Sequence, residues 1–551
     1  MPAFSSHLFP LSRRSLRNTL FHNGKLSIQK NMLRLDLFCT FAEIKRKGRQ
    51  PVSHTQITDN KSDNKENMSL RSQSVKGVKW NAVGTLTTTG LQMLKLFILA
   101  RILTKADFGL LAIATMFLGF TEIFANMGLA TGIIHKQDIT RDQYSSVFWL
   151  NMMLSVGLYL LLCVLTPLIA QYYGQPDLRR LIPLLSLQLV IDSFGKMFYT
   201  LKTKELDFKT IAVVQIVGVT IGVVLTVALA LRGHGVFSLA YGVLVQEALT
   251  QGAYFVMGLR AYRIRFHFRL SEIRELVSIG LYQLGMQVVD YAANKADIFL
   301  IGRFFSAEVL GVYNLAKELL YKAVQLINPI VTNVAAPAFA RFQDDKPKMR
   351  RSYSEVLHLL SFVNFPIFMA FFLFAEPLTM LLYGSGMAEM AWFVRVLSVW
   401  GMLQSIGNPA GILMVSLGRT DLGFRWTLVR VVLVLAGTLI ASHISIQAMA
   451  WTQVLLAFIF LFAYWRMMVY KMIAMPIGQY LGSVAWPLLG VVVAALPALP
   501  LLLFAAGQEE PVRSIMLYAD MAVFGLAYLT YYWLTRREML KQLPIFKSTD
   551  S

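Results

Sequence analysis

Phe97-Ile-Leu-Ala-Arg101-Ile-Leu-Thr-Lys-Ala-Asp-Phe-Gly109 decides the fold, because its pattern occurs twice in the chain. The second copy is Phe299-Leu-Ile-Gly-Arg303-Phe-Phe-Ser-Ala-Glu-Val-Leu-Gly311, which aligns without a gap at an offset of 202 residues. An apolar run, an arginine, a short polar turn and a glycine coincide in the two copies. Six predicted membrane spans separate the copies, so both enter the membrane in the same orientation. A parallel repeat of this kind predicts two lobes related by an axis along the membrane normal, a geometry suited to alternating access.

Apolar segments long enough to cross a membrane surround both copies. Of the 551 residues, 56% are hydrophobic and only 15% are charged, and the mean hydropathy is +0.54. Soluble domains contain about 25% charged residues because their surface faces water, so this composition excludes a soluble enzyme, a nucleic-acid binder and a secreted disulfide scaffold. Uninterrupted runs of about 20 apolar residues indicate helices rather than the strands of a barrel. The fourteen predicted spans lie near 79–100, 107–130, 145–171, 180–200, 210–231, 235–258, 277–302, 308–336, 354–382, 389–417, 424–443, 447–469, 478–504 and 514–535.

The predicted fold class is therefore an all-α polytopic membrane protein with about 14 transmembrane helices. Two six-helix lobes, 68–258 and 277–471, are related by the parallel repeat and joined by a basic cytoplasmic linker at 259–276. Residues 472–551 hold two extra C-terminal helices and a cytoplasmic tail. Residues 1–67 contain 12 Lys and Arg against 5 Asp and Glu and have no run of spanning length. We interpret them as a basic, disordered N-terminal extension, with a targeting segment or sequence upstream of a start at Met68 as alternatives.

The distribution of basic residues predicts the orientation of the spans. Residues 68–551 contain 40 Lys and Arg, of which 26 fall in cytoplasmic segments, 7 in outer loops and 7 within spans if the chain starts in the cytoplasm. Cytoplasmic loops of membrane proteins carry an excess of Lys and Arg. We therefore expect both termini in the cytoplasm, and the net charge of +21 needs no nucleic-acid partner.

The first helix of each lobe carries a polar face with members 4, 3, 4 and 3 residues apart. In the first lobe these residues are Asn81, Thr85, Thr88, Gln92 and Lys95. The positions 202 residues later, all polar, are Gln283, Gln287, Asp290, Asn294 and Asp297. A strip of this length extends roughly 21 Å along the helix axis. It cannot face lipid, so it must face the bundle interior or a watery cavity.

Polar groups on the second helix of each lobe extend this predicted cavity. The residues that we predict to contact a substrate or ion there are Gln92, Lys95, Glu122, Asn126, Asp290, Asn294, Lys295, Asp297, Asn314, Lys317 and Glu318. Helix-to-helix hydrogen bonding is the alternative for the amides and hydroxyls. This alternative explains the ionisable groups less well, because burying an ionisable group costs several kcal/mol. A carboxylate of the strip would either line the cavity as a polar group, or carry protons or pair with a cation such as Lys95. Lone charges in other spans are interpreted as structural or snorkelling, namely Lys196, Arg395 and Arg430.

Sequence signals of catalysis are missing from the chain. It contains no GxxxxGK[ST] motif for nucleotide hydrolysis and no HExxH or other metal-ligand spacing among its 8 histidines. Two cysteines, Cys39 and Cys163, cannot form a disulfide framework or a thiolate metal site. No cofactor or metal is predicted, and the sequence indicates movement of a substrate rather than an enzyme.

Three stretches resemble the polysaccharide flippases, the O-antigen and colanic-acid type exporters of the multidrug/oligosaccharidyl-lipid/polysaccharide superfamily. They are Gly77 to Trp80, Leu99 to Gly109 and Asn126 to Ala130, and the second-lobe stretches from Asn294 to Gly302 and from Gly311 to Asn314 are also similar. The resemblance covers roughly residues 68–540. It implies flipping of an undecaprenyl-pyrophosphate-linked oligosaccharide across the bacterial inner membrane, with cationic groups of the cavity meeting the anionic head group. The acidic strip of the second lobe departs from a simple cationic lumen.

Two alternatives to a flippase remain open from the sequence. A cation-coupled drug antiporter would use Asp290, Asp297 and Glu318 as cation or proton sites. A membrane enzyme or scaffold of envelope assembly would use the polar strips for helix packing alone. For the flippase, the expected partners are the lipid-linked oligosaccharide, membrane lipid, and glycosyltransferases and a polymerase of the same pathway.

Overall fold

The computed structural model describes residues 56–126, 140–262, 264–407, 409–506 and 512–535. The predictions for residues 1–55, including Cys39, and for the tail after 535 lie outside these ranges. The chain divides into two compact units, 1–75 and 76–551. In the first unit the described residues, 56–75, are helical, and the second unit contains all the spans.

Every regular element in the described residues is a helix, which confirms the predicted all-α class. The helices of the first lobe are α1 (Gln56–Leu99), α2 (Lys105–Asn126), α3 (Arg141–Tyr173), α4 (Leu178–Lys204), α5 (Phe208–Leu231) and α6 (Val236–Tyr262). The second lobe contains α7 (Leu270–Phe304), α8 (Ala307–Arg341), α9 (Lys346–Leu373), α10 (Ala375–Tyr383), α11 (Met390–Gly407), α12 (Pro409–Ser416), α13 (Thr420–Ser442), α14 (Ile446–Tyr464) and α15 (Tyr470–Ile473). A π-helical segment, Trp465–Val469, joins α14 to α15, and the C-terminal pair is α16 (Ile477–Ala506) and α17 (Val512–Thr535).

The helices coincide with the predicted spans. Ten of them in the described residues are long and apolar enough to cross a membrane. Helices α6, α7 and α8 and the pair α11–α12 are more polar or interrupted, and they occupy the other four predicted spans. The ninth predicted span is α9 followed by α10, since Phe374 interrupts the helix. The count of about 14 is therefore consistent with the fold.

Two boundaries differ from the sequence-based expectation. Helix α1 starts at Gln56, so residues 56–67 are helical although the sequence predicts disorder there. The stretch from 56 to 76 contains no proline or glycine, so nothing breaks a helix that continues from the first span. The predicted linker 259–276 is also mostly helical, because α6 reaches Tyr262 and α7 begins at Leu270.

The buried cores show how the lobes meet. At the membrane end that carries the repeated motif, Leu99 and Leu103 of the first lobe share one buried cluster with Leu310 and Met390 of the second. At the opposite end the buried clusters differ between the lobes. One surrounds Phe148, Phe198 and Tyr254 at the ends of α3, α4 and α6. The other surrounds Phe339, Tyr353 and Leu413 of the second lobe. The lobes thus share a large core at the motif end, whereas at the other end, among the described residues, the first-lobe cluster takes in only Ile273 of α7 from the second lobe.

Candidate functional site

Asp297 lies in a fully satisfied buried ion pair on the second-lobe strip. Its side chain is 2% exposed, and its Oδ2 accepts hydrogen bonds from Lys317 Nζ at 2.5 Å and from the Tyr313 hydroxyl at 2.7 Å. Its Oδ1 accepts from the backbone N–H of Ile298 at 2.9 Å. Lys317 also lies over the ring of Trp400, 5.9 Å from its centroid. A buried carboxylate needs such partners, because removing an ion from water costs several kcal/mol.

Asp290, two turns before Asp297, binds a different helix. Arg430 of α13 donates from Nη2 to Asp290 Oδ1 at 2.6 Å and to Asn294 Oδ1 at 3.1 Å. Asn294 in turn donates from Nδ2 to Asp290 Oδ2 at 2.8 Å, which closes a three-residue network. The Asp290 side chain is 49% exposed and that of Arg430 is 17% exposed. Arg430 is therefore not a lone charge, because its ion pair with Asp290 links α13 to α7.

Lys95 is not the partner of either aspartate, although the sequence left that pairing open. Lys317 reaches Asp297 from α8, which follows α7 directly, whereas Lys95 lies on α1 of the other lobe. The charges of Glu318 and Lys322 on α8 lie near Lys95. Lys295 is close to Lys317, Asp297 and Glu318. Among the described residues, Lys95, Lys295 and Glu318 have no ion pair.

We call the eight groups on α1, α7, α8 and α13 the central charged cluster. Its members are Lys95, Lys295, Lys317, Lys322, Arg430, Asp290, Asp297 and Glu318. Five of these are basic and three are acidic, which leaves a surplus of two positive charges. The acidic strip is thus neutralised by neighbouring helices.

Glu122 belongs to a separate polar group inside the first lobe. Gln188 of α4 donates to Glu122 Oε1 at 3.5 Å, and Asp192, Lys196 and Glu247 contribute the nearby charges. Among the described residues, buried acceptor oxygens of Asn126, Asp192 and Gln251 have no hydrogen-bond partner. The structure therefore does not bring Glu122 together with the second-lobe aspartates.

The remaining strip positions differ in exposure. Asn81, Thr85 and Gln287 are exposed, while Gln92 and Asn314 are half-buried. Thr88 donates to the Gly84 carbonyl of its own helix at 2.8 Å. The side chain of Gln283 lies outside the part that the structure describes. Asn81, Thr85 and Gln287 are therefore not buried between helices.

Few features of the sequence pointed to Arg430. Helix α13 has no place in the repeated motif, and periodicity within one helix does not show which helices are neighbours. One physical signal was present, because an arginine in a membrane span needs an acidic partner. Asp290 and Asp297 of α7 were the unassigned acids, and α7 does pack against α13.

Two packed helical lobes, with a charged cluster formed by the second lobe and Lys95 of the first, define a multi-pass membrane transporter. The chain belongs to the polysaccharide biosynthesis protein family, whose profile matches residues 98–392. The family and the fold confirm the predicted class, a transporter rather than an enzyme.

Named relatives extend over most of the chain. It is 29% identical over 382 residues to the lipopolysaccharide biosynthesis protein WzxC of Escherichia coli (strain K12), covering 69% of this chain and 77% of the relative. It is 29% identical over 430 residues to the teichuronic acid biosynthesis protein TuaB of Bacillus subtilis (strain 168), covering 76% and 87%. The succinoglycan biosynthesis transport protein ExoT of Rhizobium meliloti (strain 1021) is 24% identical over 474 residues, covering 85% and 94%. The resemblance inferred from the sequence motifs is thereby confirmed.

Solved structures share the fold. The lipid II flippase MurJ in an inward closed conformation superposes with a TM-score of 0.69 at 11% identity, covering 84% of this chain and 99% of MurJ. An inward-facing multidrug resistance MATE family transporter of the MOP superfamily superposes with a TM-score of 0.56 at 14% identity, covering 69% and 94%. At these identities the similarity establishes the two-lobed architecture.

Proposed function

We propose that this protein flips a lipid-linked oligosaccharide of the undecaprenyl-pyrophosphate type across the bacterial inner membrane, for envelope or exopolysaccharide synthesis. The observation that carries the proposal is the positive surplus of the central charged cluster. A pyrophosphate linkage is anionic, and lysine or arginine side chains bind such a group through strong charge-assisted hydrogen bonds. The names of the relatives WzxC, TuaB and ExoT support a saccharide substrate.

The individual contacts divide the cluster into two kinds of basic group. Lys317 and Arg430 are occupied by Asp297 and Asp290. Lys95, Lys295 and Lys322 have no ion pair among the described residues, so their ammonium groups remain available to a ligand. Lys95 lies on α1 and Lys295 on α7, which are the first helices of the two lobes. An anionic head group between them would contact both lobes at once, as alternating access requires.

The same contacts favour a flippase over a cation-coupled antiporter. A cation site needs carboxylates that are free to bind the ion or a proton. Asp290 and Asp297 are each held by a basic side chain at 2.6 Å and 2.5 Å. Glu318 is the one acid of the predicted three without an ion pair among the described residues. The exposed polar strip likewise argues against a scaffold in which these residues serve packing alone.

The packing of the lobes supports movement of the substrate from the cytoplasmic side. The large shared core at the motif end closes one side, while the smaller buried contact at the other end, through Ile273 of α7, favours opening there. The 26-to-7 distribution of basic residues supports a cytoplasmic location for that side and for both termini. Glycosyltransferases and a polymerase of the same pathway are the partners that fit this direction.

Deletion of the gene in its host tests the proposal. The lipid-linked oligosaccharide should accumulate and surface polysaccharide should fall, as measured by mass spectrometry of extracted lipids and by sugar analysis of the cell surface. Wild-type protein should restore both, whereas a Lys95→Gln/Lys295→Gln variant should not.

Lys348→Gln is the matched control, because Lys348 is a surface lysine that is 67% exposed. It should restore transport fully at equal abundance. A deletion strain with unchanged lipid-linked oligosaccharide and unchanged surface polysaccharide would contradict the proposal.

A further inference from the structure

The arginines of the two repeated motifs make reciprocal contacts between the lobes. Arg101 of the first lobe donates from Nη2 to the backbone carbonyl of Leu381 in the second lobe at 2.6 Å. Arg303 of the second lobe donates from Nη1 to the carbonyl of Tyr172 in the first lobe at 3.0 Å. Its guanidinium also lies 4.9 Å from the centroid of the Tyr172 ring. The two arginines are 202 residues apart, so they occupy the same position of the repeat.

The acceptors of these bonds are chemically equivalent as well. Tyr172 lies in the last turn of α3 and Leu381 in the last turn of α10. The last four carbonyls of a helix have no partner within it and carry its partial negative charge. Each arginine therefore caps the C-terminal end of a helix that belongs to the opposite lobe. A planar guanidinium with five donors suits this role.

The motif glycines form the second part of the contact. A Cβ added to Gly109 would lie 1.9 Å from the carbonyl oxygen of Ala307, and one added to Gly311 would lie 2.0 Å from that of Lys105. These glycines are also 202 residues apart. The first turn of α2 and the first turn of α8 thus touch backbone to backbone, and no larger residue fits. The neighbouring Lys105–Glu389 ion pair contributes little, because Glu389 is 74% exposed.

We propose that the repeated motif is the outer latch of the transporter, in which Arg101 and Arg303 hold the two lobes closed at the motif end. This inference rests on the proposed flippase function, since a lipid-linked substrate can leave only after the latch opens. The two bonds are the part that can be released, because they join side chains to carbonyls across the lobe boundary. The glycine contact sets how closely the lobes approach when the latch is shut. Arg101 and Arg303 are exposed, so their removal changes the position of the lobes and leaves the buried core intact.

Distances between spin labels in the full-length protein in lipid nanodiscs test the latch. One label pair, at Asp177→Cys and Ala388→Cys, reports the motif end, where both residues are exposed. A second pair, at Lys209→Cys and Asp344→Cys, reports the opposite end. Wild-type protein should show a short distance at the motif end as its main population.

Arg101→Gln/Arg303→Gln should move most of that population to longer distances, while distances at the opposite end shorten. Each single variant should produce a smaller shift. Arg179→Gln/Arg180→Gln, which removes two other exposed arginines of the same predicted outer side, should leave both distributions unchanged. Wild-type distances in the Arg101→Gln/Arg303→Gln variant would overturn the latch. Because the distances are measured without substrate, they remain informative even if the proposed flippase function fails.

Discussion

Asp297→Leu removes the carboxylate from the most deeply buried ion pair and leaves Lys317 without its partner. The Lys317 side chain is 17% exposed and Asp297 is 2% exposed, so water compensates the stranded ammonium only in part. Breaking one side of a buried ion pair costs about 3–5 kcal/mol. We expect the lower end, about 3 kcal/mol, because Lys317 keeps some access to water. Tyr313 also loses the acceptor of its hydroxyl.

The double variant Asp297→Leu/Lys317→Met separates the cost of an unpaired buried charge from the cost of lost packing. It leaves no unpaired charge, so it should recover about 2 kcal/mol of the loss, a coupling within the range known for contacting residues. Thermal denaturation of the purified full-length protein, followed by size-exclusion chromatography, gives the order of stability for wild type, both single variants and the double variant. The reasoning is refuted if Asp297→Leu is as stable as wild type, or if the double variant is no more stable than Asp297→Leu.

Three further predictions follow from the geometry and the charge distribution. Arg430→Gln should lower the free energy of unfolding by only about 1 kcal/mol, because Asp290 is half exposed, but it should also lower transport. Normal transport in this variant would show that the Arg430–Asp290 ion pair serves helix packing alone. In a cysteine-free background, a cysteine at Arg265 should react with a membrane-impermeant reagent only in opened cells, and one at Arg179 in intact cells; labelling of position 265 from outside would refute the orientation. A chain that starts at Met68 should insert and transport normally, and loss of insertion would show that the preceding segment is required.

Most of the fold could be predicted from the sequence, because hydropathy and the repeat are local signals. A run of apolar residues specifies a membrane helix wherever it occurs, so all fourteen predicted spans coincide with helices. The repeat at Arg101 and Arg303 likewise indicated two lobes. Helix ends were harder to predict: the extension of α1 back to Gln56 depends on polar residues that carry no hydropathy signal.

The candidate site was predictable only in part. Spacing along α7 predicts a shared face for Asp290, Asn294 and Asp297, since helical periodicity determines it. In the structure Asn294 bonds to Asp290, whereas Asp297 is buried against Lys317. The partners were not predictable, because spacing along one helix contains no information about which helix packs beside it. For this reason the sequence did not show that the aspartates pair with Lys317 and Arg430 rather than with Lys95. Glu122 was grouped with them for the same reason, although it lies in the first-lobe group.

Transbilayer movement of the lipid-linked oligosaccharide by the purified protein tests the central claim most directly. The full-length protein is reconstituted into liposomes with lipid-linked oligosaccharide extracted from the host deletion strain, under imposed proton or sodium gradients. A membrane-impermeant oxidant then measures the fraction of sugar exposed on the outer face over time. The account predicts rapid movement with wild-type protein and with Lys348→Gln, and movement at the rate of protein-free liposomes with Lys95→Gln/Lys295→Gln. Equal rates in wild-type and protein-free liposomes under every gradient would contradict it.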